Sequence, residues 1–253
     1  EESEAGFVTK GGKTLLEAFH GSPHKFDKFS MDAIGTGEGA QAYGHGLYFA
    51  DSEDVAKSYQ EALSPTRGAD GDYMKSLEPG NQGGGYWALY DKESGYLDTE
   101  MPMFKSEAEA QAFIDNPPTG ALYRTEIDVT PESLLDWDKP LSEQSEAVRG
   151  AMGDLAKQAE SDAVSPSLLS KRVTGSDGVS RYADLRELDG IDGSSAHEIL
   201  ESIYGTSASE QLNNRGIKGI KYLDGDSRAV GDGTSNYVIF DDSLINIAER
   251  GNA

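Results

Sequence analysis

Apolar positions along the chain fall into runs of strand length and into stripes of helical spacing, and the two kinds of segment lay out the elements. Leu15, Leu16, Ala18 and Phe19 predict a short buried strand leading to His20, and Leu47-Tyr48-Phe49-Ala50 predicts a second. Val55, Ala56, Tyr59, Ala62 and Leu63 share one face of a helix, with Asp51 or Ser52 as its cap and Glu53 and Asp54 in its first turn. That spacing points Tyr59 back toward the strands carrying His20 and Tyr48. The glycine- and proline-rich stretch 64–85 predicts a loop or linker. Tyr86-Trp87-Ala88-Leu89-Tyr90 then predicts a strand, Lys92 to Gly95 a turn, and Tyr96-Leu97 the start of another strand. Ser106-Glu107-Ala108-Glu109 fits a capping box before a helix burying Ala110, Phe113 and Ile114, which Pro117-Pro118 ends. Residues 80–118 thus form a small ββα insertion.

The second half continues with Leu122 to Val129, which alternates like a half-buried strand. A helix after Pro140 carries the stripe Val148, Met152, Leu155, Ala156 and Ala159. The Ser-, Gly- and Asp-rich stretch 161–193 predicts a loop, with a helical turn over Tyr182 to Leu188. Two more capping boxes follow. Ser195-Ala196-His197-Glu198 opens a helix burying Ile199, Leu200, Ile203 and Tyr204, with His197 in its polar first turn facing solvent. Ser207-Ala208-Ser209-Glu210 opens another, stopped by Gly216. Strands over Ile217 to Leu223 and Thr234 to Asp241 are joined by the Asp/Gly-rich loop Asp224 to Gly233. Residues 1–13 read as a linker or tail and 14–253 as one domain, with the ββα insertion and a helical insertion at about 141–205. No period of about 20–50 residues repeats.

Charge and composition narrow the classes. Forty-five Asp and Glu stand against 22 Lys and Arg, a net of -23 across 253 residues. This surface disfavours long nucleic acid, which needs a basic footprint, and suits a basic partner or simply good hydration. No cysteine is present, so disulfides, thiolate catalysis and cysteine-ligated zinc are excluded. His24 and His45 show no metal-ligand spacing and read as loop residues; no metal is expected. No apolar run approaches the ~18 residues of a membrane span, and no signal peptide is visible. Glu1 in place of Met suggests a start inside a longer protein or after cleavage, and in either case delivery signals would lie outside this sequence.

The candidate chemistry gathers on Phe19-His20-Gly21-Ser22 and on Tyr43-Gly44-His45-Gly46-Leu47-Tyr48-Phe49-Ala50-Asp51-Ser52. Gly21, Gly44 and Gly46 let a ligand approach the backbone beside the histidine and the tyrosine. Between them Gly35-Thr36-Gly37-Glu38-Gly39 is either a surface loop or a phosphate cradle; no Gly-Lys-Ser/Thr follows it, so it is not a P-loop. His-Gly-Ser, then Gly-x-Gly-Leu-Tyr-Phe-Ala-Asp, then a tyrosine late in the next helix, resembles the NAD-binding core of the ADP-ribosyltransferases. The similarity is to the branch shared by diphtheria toxin and the poly(ADP-ribose) polymerases, and more closely to domains of phage and mobile-element polyvalent proteins. The motifs lie toward the two ends of the chain; the middle carries none.

The resemblance implies an α+β fold of two small, split, mostly antiparallel sheets around an NAD cleft. It assigns NAD binding to His20, Gly21, Ser22, Tyr48, Phe49, Ala50 and Tyr59. Gly21 would grip the nicotinamide amide, Tyr48 and Tyr59 would stack its ring, and His20 would bond a ribose hydroxyl. His20, Tyr48 and Asn236 would be catalytic. Asn236 is the departure, because it stands where the family usually has glutamate. An amide exchanges hydrogen bonds but takes no proton. The resemblance therefore implies transfer of single ADP-ribose units from NAD to a macromolecular acceptor, protein rather than nucleic acid, by a bacterial, phage or secreted effector or toxin domain. NAD hydrolysis and a silent NAD-binding module stand as alternatives. Glu38, Asp226 and Asp232 are candidate substitute carboxylates. Arg215, Lys218, Lys221 and Arg228 either meet the NAD pyrophosphate or offset neighbouring aspartates.

Overall fold

The computed structural model describes residues 6–22, 24–34, 41–63, 73–79, 85–91, 103–115, 120–224 and 233–252; the side chains of 59–63, 73–79, 85, 91, 189 and 252 lie outside the description. The architecture is α+β, built on one eight-stranded, mostly antiparallel sheet. In chain order the elements are β1 (Phe7–Lys10), β2 (Lys13–Ser22), β3 (Leu47–Ala50), α1 (Glu53–Leu63), β4 (Tyr73–Pro79), β5 (Gly85–Asp91), α2 (Glu107–Asp115), β6 (Ala121–Ile127), β7 (Leu134–Asp136), α3 (Glu146–Ser161), α4 (Pro166–Leu169), β8 (Ser170–Thr174), β9 (Ser180–Asp184), α5 (Gly193–Tyr204), α6 (Ala208–Asn213), β10 (Gly219–Leu223), β11 (Ser235–Ile239) and β12 (Ile245–Asn252). The sheet order is β12-β6-β2-β3-β11-β10-β7, with β1 paired to β2. Only β10 and β7 run parallel among these pairs.

The resemblance implies two split sheets; the strands here form one sheet, with a narrow junction between β2 and β3. β2 meets β6 over seven register pairs, Leu16↔Ile127 to Ser22↔Ala121. It meets β3 at the single pair Phe19↔Ala50. Past that pair the two strands part, and Gly21 and Ser22 keep ladder partners on the β6 side alone.

Strand alternation sends successive side chains to opposite faces, and each face builds its own core. On one face Val238, Ile220, Tyr222 and Leu135 pack against α3, α5 and α6 through Met152, Leu155, Ile199, Leu200 and Leu212. On the other Tyr237, Ile239, Phe49, Leu16, Tyr123 and Ile127 pack with Phe7 and Phe29. The α3 stripe is buried as its spacing predicts, with Ser145 capping the helix through Val148 N–H.

Several elements depart from the sequence expectation. Phe7–Lys10 is an edge strand rather than a tail, because Phe7 is buried opposite Leu16. Stretch 161–193 holds α4 and the β8–β9 hairpin, whose inner residues Val173 and Ala183 are buried. Tyr182 belongs to β9, not to a helical turn. The ββα insertion has its first strand at Tyr73–Pro79, inside the expected linker, paired to Gly85–Asp91; Tyr96-Leu97 lies outside the described residues. Helix α5 starts at Gly193, capped by Asp192 through Ser195 N–H at 2.8 Å, two residues ahead of the expected box. Helix α6 has no side-chain cap at Ser207 and continues from a 3-10 turn. The strand of Asn236 is not the last: β12 follows it and closes the far edge against β6.

Candidate active site

β2, β3 and β11 are consecutive strands, and each brings one expected catalytic residue. Where β2 and β3 part, His20 Nδ1 lies 2.8 Å from the Tyr48 carbonyl. A carbonyl only accepts, so Nδ1 carries the proton and Nε2 presents a lone pair. Nε2 has no protein partner among the described residues. The ring sits in an aromatic cage of Phe29 (5.1 Å between centroids), Phe49 (5.7 Å), Phe26 (6.2 Å) and Tyr123 (6.3 Å). Burial in that cage pushes the imidazole below its ordinary value, and the bond to Tyr48 offsets it in part. The neutral ring is therefore a hydrogen-bond acceptor through Nε2.

Tyr48 faces the other way. It is opposite Val238 on β11, on the face that packs against the helices. Its hydroxyl donates to Gly44 O at 2.9 Å and accepts Tyr43 N–H at 3.2 Å. Burial, with the Glu201 charge adding a smaller push, raises the phenol to about 12 against the pull of the Tyr43 bond. The hydroxyl therefore stays protonated and anchors the ring to its own loop.

Asn236 sits between Ala50 on β3 and Tyr222 on β10. It is 3% exposed, and its Oδ1 is buried with no hydrogen-bond partner. An orphaned buried amide oxygen costs about 1–3 kcal/mol unless something supplies a donor. Its neighbour in the sheet is Asp51, which the sequence reading takes as a candidate helix cap and as the last residue of the Gly-x-Gly-Leu-Tyr-Phe-Ala-Asp motif, with no role assigned in the site. Ser52 takes that role instead, through a long 3.5 Å contact to Val55 N–H. Asp51 turns to β11: its Oδ2 accepts Ser235 N–H at 2.7 Å and its N–H donates to Ser235 O at 2.9 Å. Oδ1 is buried without a partner, and burial raises the carboxyl above its usual range. The motif includes this Asp, but local sequence gives it no role beyond capping.

The remaining expected residues divide. Gly21 and Ser22 are buried at the parting of β2 and β3, with Ser22 Oγ accepting His24 N–H at 3.1 Å. Phe49 and Ala50 are core residues, each 3% exposed, so any ligand meets their backbone and not their side chains. Tyr59 lies on α1, its side chain outside the description. Glu38, Asp226, Asp232, Arg228 and the Gly35–Gly39 loop are outside the described residues. Arg215 and Lys218 are spent on α6, bonding Gln211 Oε1 at 3.0 Å and Asn213 Oδ1 at 2.8 Å, and do not point to a phosphate. A concavity of about 150 Å³ beside Asp136, Lys139 and Lys221 includes none of His20, Tyr48 and Asn236.

His197 corrects the sequence reading most sharply. The expected first-turn position faces solvent; with α5 starting at Gly193, its ring turns inward and is wholly buried. Burial lowers it to about 4, and its centroid lies 5.5 Å from that of Trp137. Asp192, ahead of Gly193-Ser194-Ser195, is by residue type as good a cap as Ser195, and local sequence does not choose between them. No protein-family model, curated protein or solved structure matches the chain.

Proposed function

We propose that the chain is an NAD-dependent mono-ADP-ribosyltransferase acting on a macromolecule. The observation that carries this reading is that β2, β3 and β11, which bear His20, Tyr48 and Asn236, run side by side where the β2–β3 ladder stops, with His20 Nδ1 bonded to the Tyr48 carbonyl. In this reading the Gly21 backbone, which has no ladder partner on the β3 side, would grip the nicotinamide amide of a ligand seated between the parted strands. Tyr48, its hydroxyl tied to Gly44, offers a fixed ring face, and Tyr59 would close the other side. His20 Nε2 accepts a ribose hydroxyl. Asn236 holds the nicotinamide ribose while the glycosidic C–N bond breaks, its electron pair leaving with nicotinamide and positive charge developing on the ribose. An acceptor nucleophile then bonds the anomeric carbon and gives up its proton to water. Asn236 cannot take that proton, which fits transfer of single units to an acceptor that needs no strong base. The acidic surface favours a basic protein over nucleic acid as that acceptor. Among the described residues no helix is long and apolar enough to cross a membrane.

The amide at position 236 also favours a second reading, a module that binds NAD without turning it over. Incubating purified protein with labelled NAD and a cell lysate separates the two. Labelled macromolecule supports the transferase. Free ADP-ribose indicates hydrolysis instead, and intact but bound NAD supports the silent module. NAD neither bound nor consumed ends both.

A further inference from the structure

The Tyr48 hydroxyl and the Tyr43–Gly44 turn form a closed unit through the two bonds described above. Gly44 has φ +112°, a conformation that only glycine adopts freely. What lies behind the turn is His197, reaching in from α5. A Cβ on Gly44 would stand 3.0 Å from His197 Nε2, 3.1 Å from its Cε1 and 3.3 Å from Ile220 Cδ1. The imidazole thus occupies the space that any side chain at position 44 would need.

Both ring nitrogens of His197 are buried without hydrogen-bond partners. An apolar side chain of similar size would fill the same volume without that penalty, so packing alone does not account for histidine here. The groups around it are few. Glu201 Oε1, one turn along α5, is 3.9 Å from Nδ1. Trp137 flanks the ring, and Tyr43 and Tyr48 are the titratable groups on the turn side, with the Glu201 charge felt at Tyr48. Nδ1 is the nitrogen nearer the Glu201 carboxylate, which favours its proton there, and Nε2 is the nitrogen turned toward Gly44.

We propose that His197 is a positioning residue for Tyr48: its neutral ring, Nδ1 protonated, braces the Tyr43–Gly44 turn so that the turn pins the Tyr48 hydroxyl. The helical insertion that supplies α5 thereby sets the candidate site from behind. The inference rests on the ADP-ribosylation reading only where NAD is concerned.

The Tyr43 amide reports the brace directly, because it donates to the Tyr48 hydroxyl. In His197→Leu its hydrogen-exchange protection should fall about tenfold relative to the Val238 amide in the sheet, the equivalent of one net hydrogen bond. His197→Gln, which keeps a planar polar group behind the turn, should restore part of it. Wild-type protection at Tyr43 in the leucine variant would overturn the proposal, since the ring would then only fill space. Should that variant not fold, imidazole ¹⁵N shifts of the wild type decide: the Nδ1–H tautomer is expected, and Nε2–H or an imidazolium at neutral pH would overturn it. If wild type binds NAD, its affinity should drop in the leucine variant in step with Tyr43 protection; an unchanged affinity with protection lost would overturn the link to the site. Failure of wild type to bind NAD would end the ADP-ribosylation reading and leave the Tyr43 and ¹⁵N tests in force.

Discussion

At the scale of single residues, the candidate site is defined by polar atoms that the fold buries and leaves unpaired. Asn236 Oδ1 is one. If it holds the ribose as charge develops, Asn236→Ala should lower turnover of NAD more than affinity for it, by about 2–4 kcal/mol in the barrier, the scale of a lost oxyanion-hole donor. Steady-state kinetics with parallel NAD titrations read the split; equal turnover in the two proteins would show that the reactive ribose lies elsewhere. Asn236→Glu should raise turnover if a missing charge limits the rate. The titrating groups predict stability as a function of pH. His197 has a folded value of about 4 against its ordinary 6.5. Between these values the unfolded chain binds a proton that the folded chain refuses, so stability falls as pH drops from 6.5 toward 4. The slope is up to about 1.4 kcal/mol per pH unit; His20, also lowered by burial, adds to the same limb. Tyr48 acts in the opposite range: its phenol is raised from 10.0 to about 12, so the unfolded chain ionises first and stability falls between those values. Urea midpoints across pH should show both limbs, with His197→Leu flattening the acid one and Tyr48→Phe the alkaline one.

At the scale of elements, the ββα unit stands apart from the sheet that carries the site. β4 and β5 pair with each other, and Trp87 exchanges two backbone bonds with Phe104, at 2.8 and 2.9 Å, ahead of α2. Among the described residues no strand of the unit joins the eight-stranded sheet. Replacing residues 73–115 with a short Gly/Ser linker should therefore leave far-ultraviolet dichroism of a folded α+β protein and unchanged NAD affinity. Loss of labelling of the macromolecule with NAD binding kept would assign the unit to acceptor recognition; a molten product would place it in the core. The helical insertion is the contrary case. Its α3 and α5 supply Val148, Met152, Leu155, Ile199 and Leu200 to one of the two cores. Met152→Ala should cost about 2–5 kcal/mol in denaturant unfolding, where an exposed decoration would cost almost nothing.

At the scale of the whole molecule, a net of -23 on 253 residues makes the folded state repel itself. Raising salt from a few millimolar toward physiological strength shortens the reach of that repulsion to about 8 Å, so the melting temperature should rise. Surface pairs such as Lys10–Glu126 and Arg124–Glu17 would weaken under the same change, but exposed pairs contribute little. A falling melting temperature would mean the pairs outweigh the repulsion. The same molecule shows how far its sequence can be read. Local pattern was enough for β2, β3, β6, β10, β11 and the buried stripe of α3, because each depends on spacing that neighbouring residues satisfy among themselves. His20, Tyr48 and Asn236 fall within three of those strands, so their places on β2, β3 and β11 were legible too, while the roles given to them rest on the resemblance alone. Chain order does not say which strands lie side by side, so the junction of the two half-sheets at Phe19↔Ala50 came only from the tertiary structure. So did Phe7 as core and the β8–β9 hairpin, whose polar sequence becomes a strand pair only with Val173 and Ala183 set against α5. Asp51 and His197 were hidden for one reason. Each reads locally as an ordinary helix-start residue, and what gives it a role is a partner far along the chain: Ser235 for the one, Gly44 for the other.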